Sequence, residues 1–469
     1  MSELKSAYDL ANERIISSSF KKEKTEEEKE EGSFDFIKID EFSDREDRVL
    51  EEDNSNETKL IIGREKRQEE DPMKEIKVVQ PETVYFDDKP MEVCWNGHFL
   101  DYGGFARMNR TMVFGLSNRN VKVKVEIEPN AVHVNGVTQK EIERMSNAQI
   151  SPTAPKVFGV TVPMNLSYPG KKILYTMIET SDGVHKDYSG KLNLTDEIWV
   201  PTKFGKKIME SSNIYPPIHV MPLGVDVNRY SPKAGLMDFG PAMRKFKFVS
   251  VFRWSYRKGF DILLRSYLEE FSNDDDVTLL LVCRAVDCPE EIGAQRIKED
   301  FEALKQSINK LEADLPHIAL CTRPIHERDM PKLYNSADAF VLISRGEGFG
   351  LIYLEAAATG LPVIASNCSG QTEFLNKENS YLVDPDAYVE ATTNGKLSRM
   401  AKLCHFYEGQ IFPDFGRTAI EKVKENMRFV YENYDEAKIK ANKLRKLVVN
   451  NYTWDMAVDR VYRRLKEIS

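Results

Sequence analysis

No apolar run in this sequence approaches the roughly 20 residues a helix needs to cross a bilayer, and the first ten residues, MSELKSAYDL, are too charged for a secretory signal. Cysteine is scarce. Cys94, Cys283, Cys288, Cys321, Cys368 and Cys404 stand singly or five apart, with no C-x-x-C pair and no Cys/His spacing of a zinc site. A disulfide framework and a structural metal are therefore not expected, and a reduced, cytoplasmic setting is. In that setting the sequons at Asn109, Asn165, Asn193 and Asn451 carry no meaning as glycosylation sites. Excess basic charge is missing too. Residues 1 to 80 hold 15 Lys/Arg against 24 Asp/Glu, which accounts for the whole formal charge of −9 and leaves the remainder neutral. Nucleic-acid binding needs clustered cations, and this body has no surplus of them.

What is present is length and alternation. At 469 residues, with hydrophobic residues at 41%, the chain exceeds what one core usually organises. Residues 1–84 read as an acidic, largely disordered extension: KKEKTEEEKEEG and DREDRVLEEDNSNETK combine low hydrophobicity with dense charge, and only 6–16 has the spacing of a short amphipathic helix. A partner-binding tail and a solvated linker are both open for it. Strands are expected near 92–96, 121–127, 156–162, 173–177, 197–200 and 218–221, with helices between several of them, and 228–244 reads as a connection between domains. A second series follows, with strands at 247–252, 277–283, 318–321, 339–343, 363–365 and 381–383 and helices at 258–271, 291–312 and 330–336. Such alternation predicts doubly wound parallel sheets covered on both faces. The expected division is 1–84, 85–232, 233–415 and a helical remainder, 416–469.

The organising stretch runs from Asp338 to Ser366, DAFVLISRGEGFGLIYLEAAATGLPVIAS. It reads as strand, glycine turn, helix and strand, and a helix start beyond a parallel strand offers unpaired N–H groups to an anion. Gly346, Gly348 and Gly350 leave no Cβ between the main chain and a phosphate. Glu347 and Glu355 frame the turn, and ionised carboxylates beside a bound phosphate face hydroxyls better than they face the phosphate. Phosphate plus polyol describes a nucleotide sugar. An ordinary tight connection with two unrelated acids is the other reading of the turn alone. Arg253 at a strand end and Lys258 five residues on can reach the same crevice, as a bidentate and a point cation for phosphate oxygens, unless they are simply surface cations beside Arg257.

Glu347-Gly-Phe-Gly-Leu-Ile-Tyr-Leu-Glu355 resembles the E-x7-E signature of retaining, family-4 (group 1) glycosyltransferases of GT-B fold. The resemblance extends to FVSVFRWSYRKGFDILL around Arg253 and Lys258, to Met221-Pro-Leu-Gly224-Val-Asp-Val, to Asp196-Glu-Ile-Trp-Val-Pro-Thr and to Tyr102-Gly-Gly-Phe-Ala-Arg, in the family's order over about residues 90–465. One departure is Ile352, where members usually carry proline two residues after the glycine matching Gly350, which bears on local loop geometry.

The resemblance implies two Rossmann-like domains facing a cleft, with the last helices crossing back to the first domain. It implies a retaining, metal-independent transferase that moves a sugar from a nucleotide donor to a hydroxyl acceptor on a glycan, glycolipid or small molecule. No cofactor is implied beyond the donor. Catalytic residues would be Arg253, Lys258 and Glu347, with Glu347 on the donor sugar. Donor binding would fall to Gly104 at the cleft edge, to the main chain of Gly348, Phe349, Gly350 and Leu351, and to Glu355 on the ribose. No histidine stands where members often have one at the first-domain strand end, VFGVTVP; His98 and His185 are weak substitutes, and Glu179 and Thr180 are candidates for the acceptor side. Asp274-Asp-Asp276 could suggest a metal site but reads better as a solvated turn. Other readings are a hydrolase carboxylate pair, a nucleotide-sugar epimerase, and a non-catalytic GT-B subunit. The basic stretch Lys438 to Lys446 leaves peripheral contact with the inner membrane face open beside a plain solvated helix.

Overall fold

The computed structural model describes residues 37–38 and 90–469, apart from 129–135, 164, 241–242, 286–289, 324, 396 and 404. The helix expected at 6–16 lies outside the described residues, as does the rest of the acidic extension except 37–38. Those two residues form β1 (Ile37–Lys38). The first lobe follows with β2 (Glu92–Gly97), β3 (Lys122–Ile127), β4 (Lys156–Gly159), β5 (Lys172–Tyr175), β6 (Glu197–Val200) and β7 (Ile218–Val220). The second contains β8 (Phe246–Arg253), β9 (Val277–Arg284), β10 (His317–Cys321), β11 (Ala339–Leu342), β12 (Val363–Ser366) and β13 (Tyr381–Val383), then a hairpin, β14 (Ala387–Glu390) and β15 (Ile411–Asp414). Four helices matter below: α1 (Gly104–Ser117), α2 (Phe260–Glu270), α3 (Leu351–Ala358) and α4 (Trp454–Ile468).

The first sheet has the order β3-β2-β4-β5-β6-β7, all parallel. The second has β1-β10-β9-β8-β11-β12-β13, parallel except for β1, which pairs antiparallel with the edge strand β10. The stretch read as a charged tail thus contributes two residues to a sheet edge. Strands such as β9, VTLLLVCR, are apolar on both faces because helices cover both sides. In each sheet the strand order reverses once, between β2 and β4 and between β8 and β11. A crevice opens beyond the carboxyl ends of the strands at such a reversal. The loop after β2 is held in place by Arg110, whose Nη1 donates to the carbonyls of Phe99 and Asp101 at 2.7 and 2.6 Å. Asn109 is fully buried: its Oδ1 accepts from Trp95 Nε1 at 2.9 Å, and its Nδ2 donates to His98 and Gly159 carbonyls at 3.0 and 2.9 Å.

Several elements depart from the sequence expectation. The helix expected from 258 begins only at Phe260. Tyr256–Lys258 is instead a 3-10 turn closed by Gly259 at φ 66°, where an added Cβ would lie 1.8 Å from the Ile343 carbonyl. Lys258 therefore faces inward rather than riding on a helix. The helix expected at 291–312 ends at Gln306. The β14–β15 hairpin and the short helix Ser398–Leu403 within it were not expected at all. Asp274 to Asp276 form a turn: Asp275 accepts from the Ser272 amide at 2.8 Å and from Arg428 at 2.7 Å, and Asp276 accepts from the Lys245 amide at 2.9 Å. Cys94, Cys283, Cys321 and Cys368 are buried free thiols; burial, with Glu126 close by, pushes Cys94 up to about 12.

After β15 two helices line the second lobe, and α4 then packs on α1 of the first. An added Cβ at Gly115 would meet Val458 at 2.6 Å, and one at Gly224 would meet the Thr453 backbone at 2.2 Å. A salt bridge fixes this return. Glu197, buried in β6, accepts from Arg464 Nε and Nη2 at 2.8 and 2.7 Å and from Trp199 Nε1 at 2.5 Å. Burial alone would raise its carboxyl, but the bonds from Arg464 and Trp199 outweigh that and hold it below its ordinary value. A folded-state pKa below the unfolded one gives stability that is present above the ordinary carboxylate range and is lost as pH falls through the folded value. Arg464→Ala should lower stability at pH 7 by on the order of 2 kcal/mol, less than a fully buried pair because Arg464 stays part-exposed. The gap between variant and wild type should narrow on acidification in denaturant melts. Equal midpoints at pH 7 would show that this pair does not hold the carboxyl-terminal helix.

Candidate active site

Beyond the reversal between β8 and β11 lie two loops: 253–259, which leaves β8, and 343–350, which leaves β11. Lys258 and Glu347 meet there, with Lys258 Nζ donating to Glu347 Oε1 at 2.5 Å, and both are nearly enclosed at 9% and 6% exposure. Arg257 Nη1 lies 4.0 Å from Glu347 Oε2 and 3.0 Å from Glu179 Oε1 of the first lobe, and also donates to the Gly346 carbonyl. Burial would raise the Glu347 carboxyl, but Lys258 and Arg257 more than offset it and hold it below its usual range. Burial lowers the Lys258 ammonium, which Glu347 only partly restores.

The two loops are bound to each other by Arg345, 1% exposed. Its guanidinium donates to both Asp261 oxygens at 2.8 and 2.7 Å and to the Tyr256 carbonyl at 2.7 Å, and lies 4.0 Å above the Tyr256 ring. From the other side the 369–371 turn covers the loop: Ser369 Oγ accepts from the Glu347 amide at 3.0 Å, and the Gly370 amide donates to the Glu347 carbonyl at 2.8 Å.

The glycines have different jobs. Gly350 has φ 95°, a left-handed position at the start of α3. Gly346 and Gly348 make room for the first lobe: added Cβ atoms would lie 2.3 Å from the Glu179 carbonyl and 2.5 Å from Met177 Cβ. Gly104, at the start of α1, would meet nothing within 4 Å, so it borders open space. The main-chain N–H groups of Gly348, Phe349, Gly350 and Leu351 have no hydrogen-bond acceptor among the described residues. Phe349 contributes only its main chain there, because its ring is buried against Phe374 and Tyr452 at 5.4 and 6.2 Å.

Glu355, on α3 and 2% exposed, is paired with Arg107 of α1 through Oε1, and its Oε2 accepts from Tyr334 OH at 3.0 Å. Arg107 also lies 3.5 Å from Glu327. Arg253, exposed at the end of β8, reaches over the first lobe: its Nη2 lies 3.0 Å from where a Gly103 Cβ would be. His185 caps the helix Lys186–Leu192, accepting from the Asp187 amide at 3.3 Å. His98 follows β2, with its Nδ1 buried and unpartnered among the described residues. Thr180 Oγ1 donates to the Gly183 carbonyl at 2.6 Å. Among the described residues no group of three or more His, Cys, Asp or Glu is placed to hold a metal ion.

Sequence reading sets Arg257 aside, quotes Arg107 only as the last residue of the Tyr102–Arg107 motif without a role, and does not single out Arg345; each acquires its place from a segment far away along the chain.

Two facing doubly wound parallel lobes with the candidate site between them are the GT-B architecture of glycosyltransferases. Anabaena HepE in complex with UDP-glucose superposes with a TM-score of 0.55 over 80% of this chain and 100% of that one, at 13% identity. Sucrose-phosphate synthase from Thermosynechococcus elongatus gives 0.56 over 81% and 100%, at 15% identity. At such identities the likeness shows the fold. Residues 244–395, within the second lobe, match the family model described as glycosyl transferases group 1. A D-inositol 3-phosphate glycosyltransferase of Geodermatophilus obscurus is 30% identical over 180 residues, 37% of this chain and 38% of its own. Mannosylfructose-phosphate synthase of Agrobacterium fabrum is 26% identical over 161 residues, 32% of each. The chain thus spans about a third of the length of these curated relatives.

The glycine geometry makes a direct prediction. Gly346→Ala drives a Cβ into a backbone carbonyl that can yield only if the lobes part, so it should cost about 1–3 kcal/mol, as overpacking does. Gly104→Ala should be neutral or slightly stabilising at the start of its helix. Thermal melts of the two variants, with small-angle scattering to detect lobe separation, check this; equal effects would mean that the lobes do not close on the glycine loop.

Proposed function

We propose that the protein is a retaining, metal-independent glycosyltransferase, moving a sugar from a nucleotide-sugar donor to a hydroxyl acceptor. The observation that carries this reading is the juxtaposition at the second-lobe switch point. Four main-chain N–H groups lacking acceptors among the described residues precede and open α3, beside the Lys258–Glu347 pair and two lobe-crossing cations, Arg253 and Arg257. The N–H groups and the helix start favour the diphosphate. Arg253 and Lys258 would stabilise the charge that grows on the leaving diphosphate, Glu347 would meet the donor sugar, and Glu355 the ribose. A non-catalytic GT-B subunit would have no need to keep Lys258 and Glu347 enclosed and paired. The donor base, the sugar and the acceptor are open to a thermal-shift panel of nucleoside diphosphates and nucleotide sugars, since a ligand of the folded state raises the melting temperature. No stabilisation by any of them would overturn the proposal.

Glu355 already has both oxygens engaged, so a ribose hydroxyl would have to displace Arg107 or Tyr334. Glu355→Ala should weaken nucleoside-diphosphate binding about tenfold or more, the scale of a charge-assisted hydrogen bond. Glu347→Ala should instead free Lys258 for phosphate, leaving diphosphate affinity intact or tighter while transfer falls by at least about tenfold. Calorimetry with the free diphosphate and initial rates with the donor separate the two; equal loss of diphosphate affinity in both would reverse the assignment.

With cations from Arg253 and Lys258 meeting the phosphate charge, transfer should persist in chelator. Activity abolished by EDTA and restored by magnesium or manganese would make the reaction metal-dependent.

A further inference from the structure

Between β13 and the helix Arg417–Glu432 the chain makes an excursion, β14, the helix Ser398–Leu403 and β15, that belongs to neither main sheet. It has its own small core of Ala391, Leu397, Met400, Ala401 and Phe412; Val389 packs against it, and so do two tyrosines, Tyr256 and Tyr407. Each reaches toward the candidate site by a different route. Tyr256 lies in the turn that ends in Lys258, and its ring carries the guanidinium of Arg345 at 4.0 Å. Tyr407 belongs to the excursion itself, and its hydroxyl donates to Glu179 Oε2 of the first lobe at 2.5 Å. The other oxygen of Glu179 faces Arg257 at 3.0 Å, and Arg257 faces Glu347. The backbone docks alongside. The Ser181 amide donates to the Ile411 carbonyl and the Ile411 amide to Asp182 Oδ1, both at 2.9 Å, and the Phe406 ring lies 3.9 Å from that of Tyr188.

We propose that this excursion is a clasp across the lobes and that Glu179, held by Tyr407 and facing Arg257, is a positioning residue that sets the Lys258–Glu347 pair for transfer. The electrostatics give the reason. Glu347 has two cations within reach, Lys258 at 2.5 Å and Arg257 at 4.0 Å. Glu179 draws Arg257 toward the first lobe and leaves Lys258 as the close partner. When Glu179 withdraws, Arg257 loses one of its two carboxylate neighbours and competes more strongly for the other, Glu347, in a site where little water screens either cation. The arrangement of the pair thereby depends on whether the lobes are closed, and the clasp is the part that senses closure. The inference rests on the reading of the site as a nucleotide-sugar site.

The test uses the full chain with Tyr407→Phe, Glu179→Gln and the double variant. Hydrogen exchange should quicken in peptides covering 344–351 in each single variant, with no further change in the double, because both remove the same link. Unchanged exchange in that loop overturns the clasp, and this measurement needs no donor. In kinetics with the donor found by the ligand panel, turnover should fall about tenfold while the dissociation constant of the nucleoside diphosphate stays within about twofold. Unaltered turnover, or turnover, affinity and melting temperature falling together, overturns the positioning role. Absence of any nucleoside-diphosphate binding by the wild type sinks the nucleotide-sugar reading instead, and the exchange result then decides the clasp alone.

Discussion

A carboxylate and an ammonium taken together out of water constrain everything around them. Glu347 and Lys258 are almost wholly enclosed at 2.5 Å, and a buried charge is tolerable only with its partner held in place. Neither residue belongs to regular structure that could hold it. Lys258 ends a 3-10 turn and Glu347 sits in a glycine loop, so the rigidity comes from their surroundings. Arg345 joins the two loops through Asp261 and Tyr256, and Ser369 and Gly370 fix the Glu347 main chain. The left-handed Gly259 turns Lys258 inward, because only a residue without Cβ fits against the Ile343 carbonyl. Together these contacts fix both members of the pair in position.

The first lobe completes the enclosure. Met177 and Glu179 approach so closely that Gly346 and Gly348 could carry no side chain, and α4 anchors the return of the chain through Arg464 and Glu197. The tightest part of the second lobe thus depends on a surface that begins 170 residues earlier. The loops that form the site are short and belong to parallel strands whose order reverses, which is where a doubly wound sheet leaves a crevice.

How much of this the sequence could show depends on the range of the interaction. The parallel lobes were legible because strands such as β9 and β11 are continuous apolar runs and the helices between them keep their spacing. The glycine turn with Glu347 and Glu355 was legible because its pattern is contiguous. The start of α2 was misplaced by two residues because FDILL continues the apolar spacing of a helix, while the left-handed conformation at Gly259 depends on Ile343, over 80 positions away. The β14–β15 hairpin escaped because its strands, AYVE and IFPD, are four residues each and the second contains Pro413, which argues against a strand unless it lies at an edge. Arg257 read as a surface cation because its partners, Glu179 of the first lobe and Gly346 and Glu347 of the loop after β11, all lie far away along the chain. The glycines were assigned to a ligand, and two of them serve the contact between lobes.

The charges that line the cleft are nearly balanced against one another. Glu355 faces Arg107, Glu347 faces Lys258, and Glu179 faces Arg257. On the proposed reading, an arriving diphosphate finds most cations already in the company of a carboxylate, which a weakly bound anion could not displace. Arg253 is the exception, its side chain making no hydrogen bond or ion pair among the described residues, and it stands at the rim beside Gly103. Alongside it are the N–H groups from Gly348 to Leu351, which need no carboxylate to be moved. Recognition on this reading therefore starts at Arg253 and the loop amides, and engagement of Lys258 comes only as Glu347 finds a new partner in the donor sugar. Such an order makes the enclosed pair a discriminator: a bare phosphate satisfies the amides but offers Glu347 nothing in exchange for Lys258.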